Sequence, residues 1–86
     1  MKLFYKIPVN DYREKLDEVR ERFMMHEEED EARINLKMDD ESQIERVICT
    51  VNPNQDELAH IRVILNDNSL QQYFDSVFGT PYKIKE

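Results

Sequence analysis

The stretch Leu58-Ala59-His60-Ile61-Arg62-Val63-Ile64-Leu65 decides the fold, because it can be read in two ways. Asn54-x-x-Glu57 in front of it would cap a helix, and Leu58, Ile61 and Leu65 have helical spacing. On a helical wheel, however, the apolar residues of 58–65 scatter right around the axis. In an extended chain they sort by side, with Ala59, Ile61, Val63 and Leu65 inward and His60, Arg62 and Ile64 outward. The strand is the better reading. A continuous helix from 55 to 78 would instead give a ferredoxin-like βαββαβ order.

The pattern is plainer on the C-terminal side. Asn66-Asp67-Asn68-Ser69 offers several N-caps, and Leu70, Tyr73, Phe74, Val77 and Phe78 make an apolar stripe at helical spacing. Gly79, the single glycine, sits where a helix C-terminus calls for positive φ, with Pro81 beyond it. Tyr82 and Ile84 alternate with Lys83 and Lys85, which suits a short last strand.

On the N-terminal side, Asn52-Pro53-Asn54 is a turn signal. Ile44–Val51 reads as a strand with Val47, Cys49 and Val51 on one face and Ile44, Arg46, Ile48 and Thr50 on the other. Asp39–Ser42 suits a hairpin loop, and Ala32, Ile34, Leu36 and Met38 alternate with Arg33, Asn35 and Lys37. Residues 2–9 alternate as well, and Pro8 either ends that strand or places it at an edge. Between them, Tyr12, Leu16, Val19 and Phe23 form the stripe of a helix from 11 to about 26, opened by an Asp11-x-x-Glu14 capping box. These elements predict one α+β domain over 1–86, in the order βαβββα(β). Its antiparallel sheet has three to five strands, with two helices packed on one face.

Composition narrows the function. The chain has 86 residues, 40 % of them apolar, enough for one core and too many for a disordered segment. No apolar run approaches the roughly 20 residues of a membrane span, and the N-terminus lacks the pattern of a secretory signal. With one cysteine, Cys49, no internal disulfide is possible, so a cytoplasmic setting and no membrane are expected. One glycine excludes the Gly-rich phosphate loops, and no Ser-His-Asp set is legible. Cys49 falls on an inward parity, as a core residue does. No enzyme activity, cofactor or metal is expected. His26 and Asp30 would stand four apart on a helix, but no second histidine or thiolate joins them.

The net charge is −7, and residues 27–45 carry the whole of it, with nine acidic groups against Arg33 and Lys37. Glu27, Glu28, Glu29, Asp30 and Glu31 are consecutive, and Asp39, Asp40 and Glu41 follow in the loop. At the end of a helix the first five would oppose the helix dipole and repel one another, so structure alone does not account for them. An acidic rim of this kind can dock on a basic protein surface, its carboxylates standing in for backbone phosphates.

The strand parities imply a second surface. Lys2, Lys6, Arg33, Lys37, Arg46, Arg62, Lys83 and Lys85 would all point away from the helices, with Phe4, Ile44, Ile48 and Ile64 among them and no acidic strand residue. Exposed strands often carry such bases to block edge pairing, but a basic and aliphatic face is also a docking surface. Arg33, Lys37, Arg46 and Arg62 are its candidate contacts to an anionic partner. Net charge disfavours direct nucleic-acid binding there, as does the presence of Phe4 alone for stacking.

In length, charge and element order the chain resembles the small acidic inhibitors that phages and mobile elements direct against host nucleic-acid enzymes, such as anti-restriction and anti-CRISPR proteins. That resemblance implies a protein-binding module whose rim engages a basic, nucleic-acid-binding surface. The basic sheet face binding an anion, nucleic acid included, is the alternative. Docking of the rim on the face of a second copy would give a homo-oligomer.

Overall fold

Strand parity prevails over residues 58–65. The computed structural model describes residues 1–30, 33–40, 43–51 and 57–86. The elements run β1 (Lys2–Pro8), α1 (Tyr12–Phe23), β2 (His26–Asp30), β3 (Arg33–Lys37), β4 (Ile44–Val51), β5 (Leu58–Leu65), α2 (Gln71–Phe78) and β6 (Lys83–Lys85). They form an α+β fold with a six-stranded sheet in the order β2-β3-β4-β5-β1-β6, every neighbouring pair antiparallel. The sixth strand, beyond the three to five expected, is β2. Pro8 ends β1 without placing it at an edge, since β1 lies between β5 and β6.

The two helices share one side of the sheet. Leu16 and Val19 of α1 and Phe74, Val77 and Phe78 of α2 join Leu3, Tyr5, Leu36, Val47, Ile61 and Val63 in a single core. Phe23 meets Tyr73 edge-on at 5.3 Å, and the Lys15 ammonium donates to the Val77 carbonyl at 2.9 Å, so the helices also brace each other. No polar or charged residue is buried among the described residues.

Three local features depart from the sequence pattern. The first helix stops at Phe23 rather than near 26. Met24 takes a left-handed conformation at φ 53°, and the Met25 and Met24 amides donate back to the Arg20 and Glu21 carbonyls. This is a Schellman stop built on methionine instead of glycine, and it turns the chain directly into β2. The described part of the acidic run, Glu27 to Asp30, therefore lies in an edge strand and not at a frayed helix end, so the helix-dipole argument does not apply to it. Nor are His26 and Asp30 a helical i, i+4 pair.

The second departure is in β4. Ile44 pairs with Leu65 and Arg46 with Ile64, so an irregularity at Glu45 shifts the register by one. Ile44, expected on the open face, is turned into the core and is 0 % exposed. The third concerns caps. Asp11 occupies the N-cap of α1 without a side-chain hydrogen bond, so no capping box forms, and Leu70 rather than a residue of 66–69 precedes α2. Gly79 has the expected positive φ, 93°. Ala32 and the turn at Asn52-Pro53-Asn54 lie outside the described residues.

Candidate functional site

The side of the sheet away from the helices is built from cross-strand rows. One row runs Lys83, Phe4, Arg62, Ile48, Asn35, Glu28 from β6 to β2. Beside it, Lys6, His60, Thr50, Arg33 and Asp30 run from β1 to β2. On the other flank Lys85, Lys2, Ile64 and Arg46 line up, and Lys37 pairs with His26. All eight bases expected on this face are on it. The four remaining basic residues, Arg13, Lys15, Arg20 and Arg22, belong to α1.

The expectation of no acidic strand residue here is corrected, because Glu28 and Asp30 stand on this face at its β2 edge and Glu45 is exposed beside Arg46 at the β4 bulge. Ile44 is absent from it. Tyr82, which the sequence did not assign to the face, joins it just before β6 starts. Its ring lies 6.2 Å from that of Phe4. The Lys6 ammonium is 4.6 Å from the Tyr82 ring centre, and the Arg62 guanidinium and Lys83 ammonium are 5.3 Å and 5.6 Å from that of Phe4. Cations held over ring faces in this way lose little entropy when they meet an anion. Around the rings lies a shallow groove of about 270 Å³ bounded by Phe4, Arg33, Ile48, His60, Arg62 and Tyr82.

The acidic rim is more heterogeneous than its sequence. In β2, Glu27 and Glu29 turn to the helix side, opposite Leu36 and Ile34. There Arg13 of α1 reaches Glu27 at 2.9 Å and Glu29 at 3.9 Å. Glu28 lies 3.8 Å from Lys37, and Asp39 lies 2.9 Å from His26 Nε2, so the loop carboxylate is brought against the same edge strand. Asp40 is exposed beside it, while Glu31 and Glu41 lie outside the described residues. Glu14, Asp17, Glu18 and Glu21 line the outer surface of α1, so acidity extends over the back of the molecule.

Cys49 is fully buried, and burial pushes its thiol up to about 11. Among the described residues no three His, Cys, Asp or Glu side chains converge as a metal site, and no helix is long and apolar enough to cross a membrane. The chain matches no family model, no curated protein and no solved structure.

Proposed function

We propose that this domain is a non-catalytic binding module that takes an anionic partner on its open sheet face. One observation carries the reading: every basic residue outside α1 lies on that face, although the chain as a whole has a net charge of −7. A chance surface of an acidic protein would mix the signs. Here three strand carboxylates, Glu28 and Asp30 at the β2 edge and the exposed Glu45 at the β4 bulge, oppose eight bases. Side-chain cations on a sheet face reach phosphate or carboxylate groups by rotamer changes alone, with no movement of the backbone.

The test is binding to immobilised heparin and to labelled oligonucleotides. Replacing Arg46 and Arg62 with Gln is expected to weaken both interactions and reduce their salt dependence. Replacing Glu28 and Glu29 with Gln and Asp39 and Asp40 with Asn is expected to leave them unchanged or tighter.

A second reading is favoured by β2 itself. It is an outer strand whose far edge pairs with no other strand among the described residues, and it carries Glu27, Glu28, Glu29 and Asp30. A basic protein segment could add to this edge as a further strand, its Lys or Arg side chains meeting the carboxylates. In that case the pattern reverses. Neutralising the rim abolishes capture of a basic protein from the native host, and the Arg46 and Arg62 substitutions do not.

A further inference from the structure

We propose that the groove around Phe4 and Tyr82 is a base-stacking site, and that the partner of the open face is single-stranded nucleic acid. The inference rests on the anionic reading of the face and adds to it a specific chemistry. Phosphate attraction alone needs only cations. This face also presents two aromatic rings, Tyr82 at 53 % exposure and Phe4 beside it, at the point where Lys6, Arg62 and Lys83 converge.

The rings adjoin one another at 6.2 Å and 55°, so they offer differently inclined surfaces to successive bases and not one sandwich. The cations over them are already positioned to swing onto phosphates, uncovering the ring faces as a strand arrives. Neighbouring strands of a sheet are about 4.8 Å apart, which spaces Lys83, Phe4 and Arg62 along a path crossing β6, β1 and β5. Glu28 and Asp30 close that path at β2 by repulsion. The groove, about 270 Å³ and open, is slightly smaller than the roughly 300–1,000 Å³ of an enclosed small-molecule site. That suits one part of a polymer passing over it. Duplex is excluded because paired bases keep their π-faces in the stack.

The experiment is fluorescence anisotropy at moderate salt with a labelled oligouridylate, its duplex with oligoadenylate, and unlabelled linear polyphosphate as competitor. Tyr82→Ala and Phe4→Leu are measured beside the parent protein. Tyr82 is exposed and contributes nothing to the core, and Leu preserves the apolar bulk at position 4, so both variants are expected to fold. The expected result is preference for the single strand over duplex and polyphosphate, with each variant losing about tenfold in affinity. If polyphosphate competes as well as oligouridylate and neither variant changes affinity, the stacking site is overturned while the anionic face stands. Preference for duplex overturns it too. If no polyanion binds, both readings fail together.

Discussion

The Tyr5 hydroxyl donates a 2.7 Å hydrogen bond to Oδ1 of Asp75, tying β1 to α2 across 70 residues of chain. Tyr5 is fully buried and its ring packs 5.3 Å from Phe78. Burial and then the Asp75 carboxylate hold the phenol well above its usual pKa, so it stays a donor at working pH. Tyr5→Phe keeps the packing and removes only the bond. Water can reach the partly buried Asp75 afterwards, so the cost should be about 1–2 kcal/mol, the low end for a charged acceptor. A shift in urea midpoint at constant slope is the check.

Met24 is the one non-glycine residue with positive φ among those described, and its side chain is 84 % exposed. The backbone strain is therefore not offset by packing. Met24→Gly should stabilise the domain by about 0.5–1 kcal/mol, because the left-handed penalty disappears while glycine's extra chain entropy takes back part of the gain. Thermal melting distinguishes this from a fall in stability, which would mean that the Met24 side chain contributes to folding.

Neutralising the rim should separate Glu27 from its neighbours. Glu27 is only 21 % exposed at the side chain and holds the close contact with Arg13, so Glu27→Gln should cost about 1 kcal/mol. The other carboxylates pair loosely or in the open, as His26 and Asp39 do. Replacing Glu28, Glu29, Asp39 and Asp40 by their amides should leave stability unchanged or raise it by a few tenths of a kcal/mol. A drop as large as that for Glu27→Gln would mean the rim is structural throughout.

Cys49 gives the fold a limit at alkaline pH. Its thiol has a folded pKa raised to about 11 from 9.0. Below pH 9.0 both states hold the proton and the stability from this group is fully present. Between 9.0 and about 11 the unfolded chain ionises first, so stability falls by up to about 1.4 kcal/mol per pH unit. Cys49→Val should flatten the urea midpoint across that window relative to the parent. An unchanged slope would assign the alkaline loss to other groups, with the Tyr5 phenol the next candidate.

Most of the fold was legible where apolar spacing was strong. β5 sorted by parity, and α1, α2 and β4 by their stripes. β2 was hidden because its helix-side positions, Glu27 and Glu29, carry charge where a strand normally shows hydrophobicity. Arg13 meets them from another element, at 2.9 Å for Glu27 and 3.9 Å for Glu29, and no local pattern reports that. Glu45 is an ordinary residue, so the bulge that buries Ile44 leaves no mark in composition. On the candidate face, alternation placed the bases correctly. Tyr82 escaped because it shares parity with Ile84, yet β6 begins only at Lys83 and leaves the preceding ring able to rotate onto the face.

Gathering the bases on one side has a consequence for how a polyanion would approach. At about 0.01 M salt the Debye length is roughly 30 Å, comparable with the molecule's extents of 36 × 25 × 19 Å. A distant polyanion then responds to the whole charge of −7 and is repelled. Near 0.15 M the length falls to about 8 Å, so the acidic back is screened while the nearby cations still act. Encounter rates would thus climb with added salt before declining, opposite to the monotonic fall seen for uniformly basic binders. The domain is repulsive at long range and adhesive only on contact, and the surrounding electrolyte sets which of the two a passing polyanion meets.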